Sequence, residues 1–372
     1  MIITSIQELR LASPAHALDS IDGLVGFIDN SEHDFLEDKL GTPLYEALCQ
    51  WYNQNSITHN NVSDYQTGYW NRLLLLAQRV VAFDALGRAI GMQAISVNNA
   101  GINQMIADDY PAPDKNGKTI DLYRETCNKE AHASLNQLLR QLEQWCKKVH
   151  HARSSSSNSS EDGVDNHRKN YGAEDDSIIE MEEIVALWYH SRYYYLSTEL
   201  LIPTCEVLQQ YLNVYDSREK FIQMLPDLQF VQEEQIAPSV GETLMSALVR
   251  YAVDSAVPDD VKSDVAPVFD TILHRLRKVM AALLAGRTSV LKYSKEQKVQ
   301  FHDDGVRMFE TAINELRAHQ NDIPEILVKD SPWYVAPPEP AAAPNPSAST
   351  GICHCPCPDK IKGAALWTSP LL

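Results

Sequence analysis

The densest group of potential metal ligands is a cluster of three cysteines and one histidine near the end of the sequence: Cys353, His354, Cys355 and Cys357. Thiolates and imidazole are ligands that soft metal ions prefer. Structural zinc sites, however, usually combine paired cysteines from two chain segments, whereas one short proline-rich stretch carries this cluster. We therefore predict no metal site, and a metal-binding protein or enzyme acting through this cluster remains a third hypothesis.

Three other groups have residue types that acid–base chemistry uses. Two are pairs of adjacent acids, Asp108-Asp109 and Asp303-Asp304, which we expect in loops at equivalent places of two repeats. Neighbouring acids of this kind are mostly solvated or cap helices, because they do not face a common substrate. The third, His150-His151, ends a predicted helix, where a cation suits the negative end of the helix dipole. We expect no catalysis from any of them.

An aromatic run from Trp188 to Tyr195 could stack nucleic-acid bases, but only Arg192 is interleaved in it. Packing in a core or interface therefore explains the run better than base stacking does. The sequence also contains no phosphate-binding glycine loop, dinucleotide fingerprint, zinc-protease motif, nucleophile elbow or EF-hand loop. We predict no catalytic residues, no cofactor and no enzymatic activity.

The bulk composition is that of a chain with apolar cores and an acidic surface. The 372 residues favour about two domains. The formal net charge is −18, with 18 acids and 12 bases in residues 1–150 and 24 acids and 15 bases in residues 178–330. Because general phosphate binding needs clustered Lys and Arg, such a surface opposes it.

Targeting and redox signals are few. No run of about 18 apolar residues occurs, so we expect no membrane span. The first residues lack the basic and apolar regions of a signal peptide. Seven cysteines, an odd number, favour free thiols in a reducing compartment.

The sequence is similar to itself over two long stretches, residues 2–48 and residues 202–248. An offset of 195 residues lays Phe35 over Phe230 and Pro43 over Pro238. Similarity at a fixed period over such a length indicates a duplicated structural unit. Duplicated helical units are more common in scaffolds and assemblies than in enzymes.

The helices predicted in the first repeat follow from apolar periodicity and capping residues. We expect helices at 19–40, from Thr42 as N-cap onward, at 69–94 and at 122–149, with a turn at 96–101. Helix 69–94 is apolar nearly all round, which indicates burial on most sides.

The second repeat shows the same order. We expect an aromatic helix at 178–200, an amphipathic helix at 268–291, a turn at 292–299 and a closing helix at 304–319. The resulting fold class is all-α, with two helical-bundle units joined by a linker. The predicted domains are helical unit 1 at 1–150, a Ser-rich acidic linker at 151–177, helical unit 2 with the aromatic helix at 178–330, and a Pro-rich, Cys-containing extended tail at 331–372.

Three runs carry a family resemblance: residues 217–221, 226–228 and 232–241, with residues 35–45 as their counterpart in the first repeat. They resemble an uncharacterised protein family carried by Bacteroidetes and their prophages. The order of helices within each repeat is also similar to that of phage head–tail connector (adaptor, head-completion) proteins. The Ser-rich linker and the Cys-His-Cys tail depart from this pattern.

The resemblance implies a virion structural protein. Its subunits would form an oligomeric ring beneath the portal, contact portal and tail proteins, and let double-stranded DNA pass without specific binding. The implied location is the virion, and the host cytoplasm during assembly. Such proteins have no catalytic residues to carry over. The alternative hypothesis is a helical scaffold or adaptor of a bacterial cell with no phage role.

Overall fold

A computed structural model describes residues 1–13, 19–55, 68–93, 95–98, 101–104, 118–157, 174–191, 194–196, 199–254 and 265–336. The prediction of an all-α fold is confirmed. In these ranges the only elements besides helices are β1 (Ile95–Asn98) and β2 (Gly101–Gln104), which pair as a short antiparallel hairpin. No helix within them is both long and apolar enough to cross a lipid bilayer.

The helices fall into two series with a similar order. The first is α1 (Ile6–Ala12), α2 (Val25–Ser31), the π-helix π1 (Glu32–Glu37), α3 (Asp38–Leu40), α4 (Thr42–Gln54), α5 (Tyr69–Gln93), α6 (Lys118–Ser157) and α7 (Glu174–Tyr189). The second is α8 (Cys205–Gln209), α9 (Arg218–Phe230), the π-helix π2 (Val231–Ile236), α10 (Ala237–Val240), α11 (Glu242–Asp254), α12 (Ala266–Arg287), α13 (Lys295–Ala318) and α14 (Glu325–Val328).

Two long antiparallel helix pairs form the centre of the fold. The ring of Tyr69, at the start of α5, packs against Trp145 in the second half of α6, with ring centroids 5.2 Å apart. In the second pair, Arg275 in the first half of α12 forms an ion pair with Glu315 near the end of α13. Each pair buries an apolar face, and α5 contributes Leu73 and Val80 to the core. The prediction that the helix beginning at Tyr69 is buried on most sides is confirmed.

The joint between each π-helix and the next long helix is built the same way twice. A glycine with positive φ ends it, Gly41 at +82° and Gly241 at +99°. Only glycine adopts this backbone without strain. A side chain would also collide with Ser191 at the first position and with Ser331 at the second. A segment that follows a later helix therefore closes over each glycine.

The extended segments before α1 and α8 are also held alike. The N–H of Ile2 donates to Oε1 of Glu32 at 2.8 Å, and the N–H of Leu201 donates to Oε1 of Gln232 at the same distance. On the other side of each segment, the carbonyl of Ile2 accepts from Gln78 at 2.7 Å, and the carbonyl of Leu201 accepts from Arg277 at 2.7 Å. The two halves share hydrogen bonds as well as element order.

These pairs give a different register from the one expected. Leu201 follows Ile2 by 199 residues, whereas Gly241 follows Gly41 by 200. The predicted offset of 195 is wrong as a structural register, because it lays the middle of π1 over the end of α9.

The closing helix of the second series starts earlier than expected. α13 begins at Lys295, because the Ser294 hydroxyl accepts from the N–H of Gln297 and the Gln297 side chain accepts from the N–H of Ser294. This reciprocal capping box starts a helix where we predicted a turn at 292–299. Asp303 and Asp304 consequently lie inside a helix, and their predicted place in a loop is wrong.

Several boundaries in the first series also differ. Thr42 is not the N-cap of α4 but its first residue, and its hydroxyl donates to Glu37 at 2.8 Å. Residues 19–24 precede α2 as a turn rather than as helix. Of the predicted turn at 96–101, residues 96–98 lie in β1 and Gly101 begins β2. The Ser-rich run begins within α6, which continues to Ser157.

The chain from Met1 to Tyr334 clusters into one compact unit. Helix α7, the predicted aromatic helix, ends at Tyr189 and packs against α4, α5 and α6 of the first series. The predicted domain boundaries at 150 and 178 remain a prediction. The Cys-His-Cys cluster and most of the Pro-rich tail lie outside the described residues.

Candidate assembly interface

The first and second helix series meet where α6 receives the start of α9. Arg218, the first residue of α9, is fully buried there. Its Nε and Nη2 donate to Oε2 of Glu143 on α6 at 2.9 and 2.8 Å. Its backbone N–H donates to Oδ1 of Asn136, which lies on the same face of α6 two turns before Glu143, at 3.0 Å. A buried ion pair thus joins residues 75 positions apart in the sequence.

The second carboxylate oxygen of Glu143 is also occupied. Tyr195, which follows α7, donates its hydroxyl to Oε1 of Glu143 at 2.6 Å. Burial raises the pKa of Glu143, since desolvation outweighs the favourable contacts with Tyr195 and Arg218. Burial also raises the pKa of Tyr195 well above its usual value, so the phenol stays a donor. With both oxygens paired, the carboxylate has no exposed oxygen to act as a base.

A strained loop places a second carboxylate, that of Asp216, beside Arg218. Tyr215 and Asp216 both have positive φ, at 59° and 52°, which is uncommon for residues with side chains. The side-chain oxygen of Gln209 holds this loop by accepting from the N–H groups of Val214 and Asp216 at 2.9 and 3.0 Å. The Asp216 carboxylate then accepts from Arg218 at 3.2 Å and forms an ion pair with Arg140 of α6.

Ion pairs at the rim continue this contact between α6 and the second series. Nδ1 of His132 lies 2.7 Å from Oε2 of Glu219, and Nζ of Lys147 lies 2.9 Å from Oε2 of Glu206. The hydrogen bond to Glu219 raises the pKa of His132. Because these groups are partly exposed, they contribute orientation more than stability.

The corresponding face of α13 is open. Val306, Phe309, Ile313 and Arg317 line a groove of about 590 Å³ that is closed at one side by Trp333. Val306 is 43% exposed although apolar. The apolar floor is flanked by one cation, Arg317, and one acid, Glu310. It suits a protein segment better than a small ligand, because no convergent set of buried polar groups lines the groove.

The buried thiols are poor candidates for chemistry. Cys127, Cys146 and Cys205 are free and buried. Burial raises the pKa of Cys146 to about 12 and that of Cys205 to about 11. Since the thiolate is the nucleophile and the metal ligand, thiols with such pKa values stay protonated and inert at neutral pH.

The other residues singled out in the sequence either lie within helices or fall outside the described residues. Asp304 forms an exposed ion pair with Arg307, one turn further along α13. His150 lies inside α6 rather than at its end. Asp108, Asp109 and the cluster from Cys353 to Cys357 lie outside the described residues. Within the described ranges, no group of three or more His, Cys, Asp or Glu is arranged to hold a metal ion.

The aromatic run has the structural role expected of it. Trp188 is fully buried, and its ring packs edge-on against Tyr194 and Tyr195 with centroids 5.1 and 5.5 Å apart. Tyr189 remains 60% exposed at the surface. The run therefore places Tyr195 beside Glu143, which connects the aromatic segment to the buried ion pair.

Sequence reasoning missed the central pair, Glu143 and Arg218. Neither residue belongs to a motif, and each looks like an ordinary charge on a polar helix. One signal was present: Glu143 lies between Leu142 and Trp145 on a helix with a continuous apolar stripe. A lone acid at the edge of such a stripe has to find a partner if the stripe is covered on both sides.

Comparison with known protein families gives a match to one stretch of the chain. A model described as a family of unknown function (DUF6712) matches residues 36–147, the span from π1 to the middle of α6. No curated protein and no solved structure matches the chain.

Proposed function

We propose that this chain is a non-enzymatic structural subunit that assembles head to tail, and that the assembly is the connector ring beneath the portal of a phage head. The observation that carries the proposal is the contact between the two helix series. One series receives the other through a specific polar interface centred on Arg218 and Glu143. A chain that already packs one such unit on another has the geometry from which a repeating array is built.

We take the common element order of the two series as the product of a duplication. The shared positive-φ glycines, the shared π-helices and the paired hydrogen bonds of Ile2 and Leu201 support this. A duplicated subunit presents pseudo-equivalent surfaces at its two ends. Surfaces of that kind favour heterologous contacts, which form rings when the rotation between subunits closes.

The charge of the chain suits the passage of DNA. With a formal net charge of −18, the subunit repels phosphate. Double-stranded DNA would therefore pass through a ring without being held. In this proposal the protein partners are further copies of the chain, the portal and the tail proteins, and the location is the virion.

The test is the assembly state of the full chain, alone and with a portal protein. Mass photometry and negative-stain electron microscopy over a concentration series should show closed rings, and portal should lower the concentration at which they form. The same preparation should not retard a DNA duplex at low salt, where non-specific binding is strongest. A chain that stays monomeric at all concentrations, with and without portal, would contradict the proposal.

The alternative, a helical scaffold or adaptor of a bacterial cell, predicts a different outcome in the same experiment. It requires self-association or partner binding, but no dependence on portal. Self-association unaffected by portal would therefore favour the scaffold over the connector.

A further inference from the structure

Helices α6 and α13 occupy the same position in the two antiparallel helix pairs, and their burial patterns fix the register. Four buried positions of α6, with the residue spacing between them, recur along α13 and the segment after it. Ala131, Leu138, Leu142 and Val149 correspond in this way to Gly305, Ala312, Leu316 and Ile323, each 174 residues later. In this register Ile313 stands where α6 has Leu139, and Arg317 stands where α6 has Glu143.

The two equivalent faces differ in what covers them. On α6, residues of α9 fill the space, and only about 90 Å³ remains between Leu139, Ile222 and Lys39 of α3. On α13 the same space is the open groove of about 590 Å³, with Ser239 of α10 as the counterpart of Lys39. The contact of α9 with α6 inside the chain therefore indicates what kind of segment would bind in the groove on α13.

At this one position the charges on the two faces are reversed. Glu310, two turns before Arg317 on α13, also lines the groove. On α6 the acid Glu143 receives the base Arg218. On α13 the equivalent residue is the base Arg317, whose nearest polar contact is Asn314 at 3.4 Å and which forms no ion pair within the described residues. A complementary occupant would carry an acid where α9 carries Arg218.

The segment before α2 has that acid. At the register of 199 residues that relates Ile2 to Leu201 and π1 to π2, Asp19 takes the place of Arg218. Asp19 is fully exposed, and its nearest cation, Arg10, is 3.9 Å away. Val25, at the start of α2, is exposed by 36% although apolar, and a Cβ at Gly26 would meet nothing within 4 Å. This surface thus offers both an acid and an uncovered apolar patch.

We propose that the groove on α13 binds residues 19–27 of a second copy of this chain, with Asp19 pairing with Arg317 and Val25 packing on the apolar floor. The contact is heterologous, because the groove of one copy receives the segment of the next and leaves a free groove and a free segment at the ends. The inference rests on the proposed function in so far as both require self-association, but it names the two surfaces that meet.

The experiment uses charge reversal in the full chain. Asp19→Arg and Arg317→Glu are made separately, and association constants are measured by sedimentation velocity. Each variant should associate at least about tenfold more weakly than the parent chain, because each places like charges opposite one another. Matched controls are Asp121→Arg and Arg307→Glu, which reverse exposed charges of short intrahelical ion pairs outside the groove and should leave association unchanged.

Mixing the two single variants is the decisive experiment, because it tests whether the two residues face each other. In an equimolar mixture, the groove of the Asp19→Arg copy still has Arg317 and can receive Asp19 of the other copy. The two reversed residues can also pair with each other. The mixture should therefore regain association that neither variant has alone. Circular dichroism of each variant checks that the helical fold is intact.

Four outcomes would overturn the inference. If the parent chain associates and neither reversal weakens it, the interface is wrong while self-association stands. If both reversals weaken it but mixing restores nothing, the two residues do not face each other. If Trp367→Ala in the full chain abolishes association while Arg317→Glu does not, the C-terminal tail fills the groove instead. If the parent chain never associates, this inference and the proposed function both fail.

Discussion

Replacing Arg218 by methionine should destabilise the protein severely, because it leaves an acid buried without its cationic partner. Glu143 is only 1% exposed, and after the change it keeps one hydrogen bond, from the Tyr195 hydroxyl. Breaking a buried pair by removing one partner typically costs about 3–5 kcal/mol. Methionine retains much of the apolar volume of the arginine stem, so the cavity contribution is small. A loss of about 3–5 kcal/mol is therefore expected in the free energy of unfolding.

The reasoning also predicts that removing all the polar partners together costs less than removing one. The triple variant Arg218→Met, Glu143→Met, Tyr195→Phe leaves no buried charge and no hydroxyl without an acceptor. Replacing a buried ion pair by apolar residues is often neutral or stabilising. The triple variant should therefore unfold within about 2 kcal/mol of the parent chain. The exposed control Arg307→Met should cost less than about 0.5 kcal/mol.

Urea denaturation followed by far-ultraviolet circular dichroism measures these differences, and pH adds a second check. Because burial already raises the pKa of Glu143, the carboxyl left by Arg218→Met should take up a proton as the pH falls. Its destabilisation should be largest at neutral pH and should shrink as the pH approaches the unfolded-state value. A loss below about 1 kcal/mol in Arg218→Met, or a triple variant less stable than the single one, would refute the reasoning.

Three further predictions concern single sites. In Glu219→Gln, the pKa of His132 measured by NMR titration should fall toward that of a free histidine, while the other histidines keep their pKa values. Because the pKa of His132 is raised in the folded chain, its contact with Glu219 stabilises the parent chain below about pH 6.5. This stabilisation is lost as the pH rises through the raised pKa. Gly41→Ala should lower the free energy of unfolding by about 2–4 kcal/mol, because alanine is strained at positive φ and its Cβ collides with Ser191 after α7. The control Gly26→Ala, whose Cβ would meet open space, should be neutral or stabilising in the monomer. Cys146 should resist alkylation at pH 8 in the native state and react after unfolding, as site-resolved mass spectrometry would show; rapid native labelling would mean that the thiol is not buried.

The parts of the fold that the sequence predicts are those set by local periodicity. The stripe from Phe269 to Leu284 gave α12 nearly to its ends, because one buried face dictates which positions are apolar. The start of α13 was missed although Ser294 and Gln297 form a capping box, since the polar residues after Ser294 outweighed the cap. The π-helices have no local signature, and the residue that shifts the register between the two series is visible only in hydrogen bonds.

The candidate site could not be predicted, because its residues are distant in sequence and ordinary in type. Arg218 reaches Glu143 only after α6, α7 and α9 have packed, and no spacing rule connects residues 75 positions apart. Asp19 and Arg317 are still less conspicuous in the sequence. Their significance comes from the correspondence of α6 with α13, which rests on buried positions rather than on residue identity.

In the proposed assembly, the reversed charges also explain why the contact inside the chain and the contact between copies are not exchanged for one another. If the second series of a chain tried to dock on its own α13, or on that of a neighbour, Arg218 would meet Arg317. If the segment before α2 of another copy competed for α6, Asp19 would meet Glu143. Each wrong pairing places like charges together in a partly desolvated contact, which costs several kcal/mol, whereas each right pairing joins opposite charges. The pair inside the chain is fully buried and permanent, while the pair between copies is exposed until docking. Folding can therefore be complete before assembly begins, and every copy joins the assembly in the same orientation.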